Sequence, residues 1–502
     1  MPRFPCRLTF GVALLLLLAA CTSVSAPAPS PVASSVSALQ QTAAFPSPLL
    51  VDLTDTMPGP QRGLRVRPVD PATLADRPGF VSLDIGHHYV RAVSPDGQTM
   101  AAIIWPSAAN NRGGVLHLID LASWTDRATG VTFDDYVAGL LFSPDGRALY
   151  WAGGTRHDAA HGIPADLVLD RYDIASGNRR TVATFPASFT PGYLPTAARF
   201  IRSGARLALY GVPTDSNNLA EGAPHLMLID LIGGGIATDL RLDGVKAGQF
   251  RESQAGTSDP FYSLFSPGLA WDTARERLYI AHADGDAITV VDLADGTVIA
   301  QQEVRPRTSL AGRVAAWLMP RVAAKGGPST DRWAVLSNDG ARLFVIGQHA
   351  EPTQQPNGQW RETMTPTGLQ VIETRDLREV AHLDVPANAM MLSPDGRRLI
   401  LHTYRDDSSG AASGGGTRHQ LTVVDPERLI ELDQVAVGGA LSLYGFSADG
   451  RYAYLSDAAS GGGTRSRTIV RVFDLDRRLF VAERTLDGPF ADLLIPSSDS
   501  AH

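Results

Sequence analysis

Ser94-Pro95-Asp96-Gly97, Ser143-Pro144-Asp145-Gly146 and Ser393-Pro394-Asp395-Gly396 are one turn written three times, and Ser337-Asn338-Asp339-Gly340 and Ser447-Ala448-Asp449-Gly450 are near copies. Proline presets φ at the first central position, aspartate can bond its own local backbone, and glycine takes φ > 0. Each copy leads into a short apolar strand, such as Ala148-Leu149-Tyr150 or Arg398-Leu399-Ile400-Leu401. A unit of this size cannot bury its apolar face alone, so its neighbours must stack on it.

With Gly204 and a degenerate site near Arg275 the turn is counted seven times, at Gly97, Gly146, Gly204, Arg275, Gly340, Gly396 and Gly450. Each is followed by an apolar strand that ends in an acid: Asp120, Asp173, Asp230, Asp292, Glu373, Asp425 and Asp474. A weaker fourth strand comes next, as in Thr297-Val298-Ile299-Ala300. Four short antiparallel strands in series predict an all-β chain, a seven-bladed β-propeller of four-stranded antiparallel blades, closed so that only short edges remain. Seven equivalent carboxylates that can accept N–H groups of the following turn read as architecture and not as an active site.

The Ser143-Pro144-Asp145-Gly146-Arg147 and Val290-Val291-Asp292-Leu293 cadence resembles the YVTN and quinoprotein-dehydrogenase-like propellers, relatives of the WD-type and TolB-like repeats, over about residues 80 to 488. The resemblance implies the fold and no particular activity.

The N-terminus carries an address. Arg3 and Arg7 precede an apolar run from Leu8 to Ala20, which ends Leu18-Ala19-Ala20-Cys21. The run is short for a membrane span and reads as a secretory signal. Its end resembles a bacterial lipobox, which implies lipidation of Cys21. Thr22 behind it, where Asp is absent, matches outer-membrane sorting in a diderm; in a monoderm the protein would face outward from the plasma membrane. The expected organisation is a signal peptide over 1–20, a lipidated cysteine and Ser/Pro/Ala-rich tether over 21–48, a lead-in or latch over 49–80, the propeller over 81–490 and a tail over 491–502. Cys6 leaves with the signal, so no thiol remains for a redox or cysteine-metal site. Without Arg3 and Arg7 the charge is 42 minus 52, or −10, which disfavours nucleic acid as a partner.

Departures from the repeat mark where material was added. The span from turn to acid is shortest at Arg275 to Asp292 and longer elsewhere, and the acid-to-turn spans are longest from Asp230 to Arg275 and from Asp292 to Gly340. Loops between second and third strands and loops between blades share one end of a propeller, so the added residues crowd one face, the expected binding face. Glycine-rich loops there place Arg156 with His157 and His161, Arg418 and Arg465, and Arg405 lies nearby. Arginine at a loop tip suits an anion or a carboxylate. His282 with Asp284 and Asp286, and His349, complete the candidate ligand-binding set. No spacing in it specifies a metal, a cofactor or a nucleophile elbow. Ser309 to Ala324 has near-helical apolar spacing and predicts a short helical insertion between the fourth and fifth counted blades. The expectation is an envelope-anchored binding or scaffolding module for a protein, small molecule or glycan. The alternative is a hydrolase of lactonase type that uses a His/Asp/Arg site at the channel mouth, and a third reading is a quinoprotein that lost its cofactor.

Overall fold

The computed structural model describes residues 48–54, 63–84, 88–105, 113–133, 136–155, 166–186, 188–215, 217–252, 261–304, 329–354, 360–406, 417–438, 441–459, 467–487 and 491–495. The predicted helical insertion over 309–324 lies outside them, as do Cys21 and the tether up to residue 47. The described strands form eight sheets, each built on four antiparallel strands labelled A to D from the innermost outward.

The ring therefore has eight blades, which corrects the count of seven. The additional blade, blade 1, takes its A strand from one end of the chain, Ala491–Leu494, and its B, C and D strands from the other, Leu49–Thr54, Gly63–Pro68 and Leu83–Asp84. Leu49 faces Leu494 and Asp52 faces Ala491 across the seam. Because A and B come from distant parts of the sequence, no turn joins them, and a count of turns passes over the blade. Blades 2 to 8 follow in order over 88–133, 136–184, 198–241, 268–303, 329–383, 387–437 and 441–487.

Eight buried apolar clusters, one at each blade-to-blade interface, hold the ring among the described residues. Strand alternation explains them: Leu50 packs towards Tyr454, Val470 and Val472 of blade 8, while Leu49 and Val51 pack towards Met100 and Ile119 of blade 2. All three lead-in residues are fully buried. Polar bonds support the seam, since Tyr454 donates to the Pro71 carbonyl at 3.1 Å and Arg484 pairs with Asp76 at 2.7 Å.

Blade 1 carries the acid that marks every blade. Asp70 follows its C strand and accepts the N–H groups of Ala72 and Thr73. Asp120, Asp230, Asp292, Asp425 and Asp474 do the same for the second and third residues beyond them. Four residues past each of the eight acids the chain turns left-handed: Leu74, Trp124, Gly177, Gly234, Gly296, Leu377, Leu429 and Arg478 all have φ between 51° and 82°. Blade 6 departs from the ring by addition. A hairpin of Gly248–Glu252 and Phe261–Ser266 joins the inner edge of its sheet, through parallel pairing of Phe265 and Ser266 with Thr330 and Asp331.

Candidate functional site

The A–B and C–D turns lie at one end of the ring and the B–C loops and D–A connections at the other. The turn end is bonded to itself. Ser94 donates its hydroxyl to Asp96 at 2.6 Å, Asp96 accepts the Gln98 N–H, and Ser94 Oγ accepts the Thr99 N–H. The same three bonds recur around Asp145, Asp339, Asp395 and Asp449. The Ser143 and Ser337 hydroxyls hold Asp145 and Asp339 below the usual carboxylate range, and backbone N–H groups do so for Asp120 and Asp230.

The insertion end is bonded less completely. In blade 5 the B strand Arg277–Ala281 and the C strand Ala287–Asp292 are joined by a hairpin that holds three predicted residues, His282, Asp284 and Asp286. His282 is buried, its Nε2 lies 2.7 Å from the Thr289 hydroxyl, and its Nδ1 lies 3.9 Å from Asp284. Burial lowers its pKa, against the opposing pull of Asp284, so the ring is neutral near pH 7. Asp286 reaches into blade 6, where it accepts a 3.0 Å bond from Arg332 on the A strand Ser329–Leu336. The Arg332 side chain is only 3% exposed, and its other terminal nitrogen donates to Thr367. Burial lowers the guanidinium pKa, opposed by Asp286, and Nε has no hydrogen-bond partner. Gly347 makes room for it, because a Cβ there would stand 2.5 Å from Arg332 Cδ. Asp284, Asp286, Glu303 and His282 line a cleft of ≈ 450 Å³ on this face.

A second cleft, of ≈ 270 Å³, lies where the interface between blades 3 and 4 reaches the same face. Its lining includes Phe189, Met227, Glu221, His225, Asp239 and Arg241. His225 Nδ1 is 2.6 Å from Asp239 Oδ1. Sequence reasoning missed this group because its members come from different strands. The available signal was alternation: His225 and Met227 on the C strand face Arg241 and Asp239 on the D strand, all on one side of the blade.

The side chains of the other predicted residues lie outside the description. His349, Arg405 and Arg418 lie in strands, with Arg405 opposite Arg418 in register. Arg156, His157, His161 and Arg465 lie outside the described residues. Among the described residues no three His, Cys, Asp or Glu side chains come together in an arrangement able to hold a metal ion.

Comparison with solved structures supports the fold alone. The chain is similar to a dihydro-heme d1 dehydrogenase, NirN, at 14% identity and a TM-score of 0.52, covering 90% of this chain and 76% of that one. It is similar to a eukaryotic initiation factor at 12% identity and a TM-score of 0.50, covering 90% and 99%. An oligogalacturonate lyase from Vibrio parahaemolyticus follows at 10% identity and a TM-score of 0.41, covering 82% and 93%. No family model and no curated protein matches the chain.

Proposed function

We propose that this chain is a lipoprotein, anchored in the cell envelope through Cys21, whose propeller binds a protein or small ligand at its insertion face. One observation supports this most: the two clefts open on the insertion face, whereas on the turn face one oxygen of each repeated carboxylate is already bonded within its own turn. Leu49 begins its strand, and Leu494 ends its own, at the turn end of the ring, where the Pro48 carbonyl accepts the Val69 N–H. His282, neutral, buried and occupied by Thr289, gives the hydrolase reading no support.

The test is photo-crosslinking of the full-length protein in cells, with the crosslinker at Gly222 or Gly285 on the insertion face, or at Asp96 or Asp395 on the turn face. Adducts from the first pair alone are expected. Adducts only from the second pair, or from neither, overturn the binding face. Cys21→Ala is expected to move the protein from the membrane to the soluble fraction, and unchanged membrane retention overturns the anchor.

A further inference from the structure

We propose, resting on that reading, that the cleft between blades 3 and 4 binds an uncharged polyhydroxylated ring, the chemistry of a neutral sugar residue. The floor is apolar. Pro186 is exposed and Pro213 half-buried, and they present the apolar surface, with Phe189 and Met227 buried beneath them. Such a floor accepts the C–H face of a sugar ring. Gly211 permits it, since a Cβ there would run into the Phe189 ring.

The rim is polar and of mixed sign: Glu221, His225, Asp239 and Arg241. Asp239 occupies His225 Nδ1, which leaves Nε2 as the ring nitrogen for a ligand. An anionic ligand meets two carboxylates, and a cationic one meets Arg241, whose Nε also pairs with Asp243 at 2.8 Å. A hydroxyl is donor and acceptor at once, so one ring bearing several can serve both the carboxylates and the guanidinium. The cleft, of ≈ 270 Å³, has room for a single ring.

The wall over the cleft is already ordered. Asp215 accepts the N–H groups of Asn217 and Leu219, Glu221 N–H donates to the Pro213 carbonyl, and Ala220 N–H donates to the Gln249 carbonyl. A preformed wall reduces the ordering cost of binding. His117 and Asp126 make the same cross-strand couple in blade 2 at 2.9 Å, so the couple alone marks no site. Floor, rim and wall together do.

The experiment applies the full-length chain, in detergent, to an array of neutral, uronate-bearing and amine-bearing oligosaccharides, with calorimetry on the strongest neutral hit. Gly222→Trp fills the cleft at a position whose Cβ would meet nothing within 4 Å, and Gly285→Trp does the same in the blade 5 cleft. Expected are neutral sugars bound, affinity lowered about tenfold or more by Gly222→Trp with an unchanged melting temperature, and no effect of Gly285→Trp. Preference for charged glycans, or no glycan binding by the unaltered protein, overturns the proposal. Loss with Gly285→Trp alone also overturns it while leaving the insertion-face reading intact; crosslinks confined to the turn face would remove that reading too.

Discussion

Asp96 and Asp286 are both loop aspartates at an end of the same ring, and they are used in opposite ways. Asp96 bonds inside its own five-residue turn, to the Ser94 hydroxyl and the Gln98 N–H. Asp286 reaches across a blade boundary to Arg332, 46 positions further along the chain. The first arrangement is local, can be written into any blade, and uses one carboxylate oxygen within the turn itself. The second depends on two blades meeting in register and leaves the buried Arg332 Nε unbonded. A face built from local turns is a copied part; a face built from contacts between blades can differ at each boundary. That difference is why both clefts lie at the insertion end.

The strongest way to break this comparison is to remove a carboxylate from each end. Asp474 is 1% exposed and accepts the N–H groups of Asp476 and Arg477 and two bonds from Arg451. Asp474→Ala leaves those donors unanswered and is expected to cost about 3 kcal/mol. Asp286→Ala removes a carboxylate that is about half exposed, so water can replace part of what Arg332 loses, and about 2 kcal/mol is expected. Urea denaturation at constant slope reads both. A larger loss for Asp286→Ala would mean that the insertion end, and not the turn end, holds the ring together.

A pH titration sharpens the same contrast. His402, 1% exposed in blade 7 near the insertion end, has its Nε2 3.0 Å from His419 Nδ1. Burial, and then His419, depress its pKa from 6.5 to about 4. The unfolded chain therefore binds the proton more readily than the folded one, and stability falls as the pH drops from about 6.5 towards 4. At pH 5 the loss relative to pH 7.5 is about 2 kcal/mol from this group. His402→Gln is expected to flatten that leg, leaving the smaller contribution of His282, which has the same sign. The turn carboxylates act lower: their pKa values are depressed, so their contribution is intact above about 4 and is lost as the pH falls further. A variant with an unchanged slope between pH 7.5 and 5 would show that His402 does not stay neutral in the fold.

Most of the ring is written locally and was readable. The turns at Asp96, Asp145, Asp339, Asp395 and Asp449 and the acids after them specify blade, strand order and the two faces. The eighth blade was also written, in Val66-Arg67-Pro68-Val69-Asp70, but a count anchored on turns could not see a blade whose A and B strands belong to opposite ends of the chain. The site divides on the same line. His282, Asp284 and Asp286 were found because one hairpin carries them. Arg332, His225, Asp239 and Arg241 were not, because strand register and blade contact, which no short motif encodes, bring them together.

The smallest predicted effect concerns the left-handed residue four places beyond each acid. A residue with a Cβ is strained there by about 1–2 kcal/mol relative to glycine, yet only blades 3, 4 and 5 use glycine. Where a leucine stands, burial has to offset the strain. Leu74 is 1% exposed and sits in the apolar cluster between blades 8 and 1, so Leu74→Gly removes more packing than strain and should destabilise by about 1–2 kcal/mol. Leu429 is only partly buried against the cluster between blades 6 and 7, so Leu429→Gly should be within about 0.5 kcal/mol of neutral. Thermal midpoints of the two variants against the unaltered chain decide it. Equal losses would mean that the turn sets the residue's worth; unequal losses mean that the same turn is held by its own geometry in one blade and by its neighbour in another, and that even the copied face depends on ring closure at blade 1.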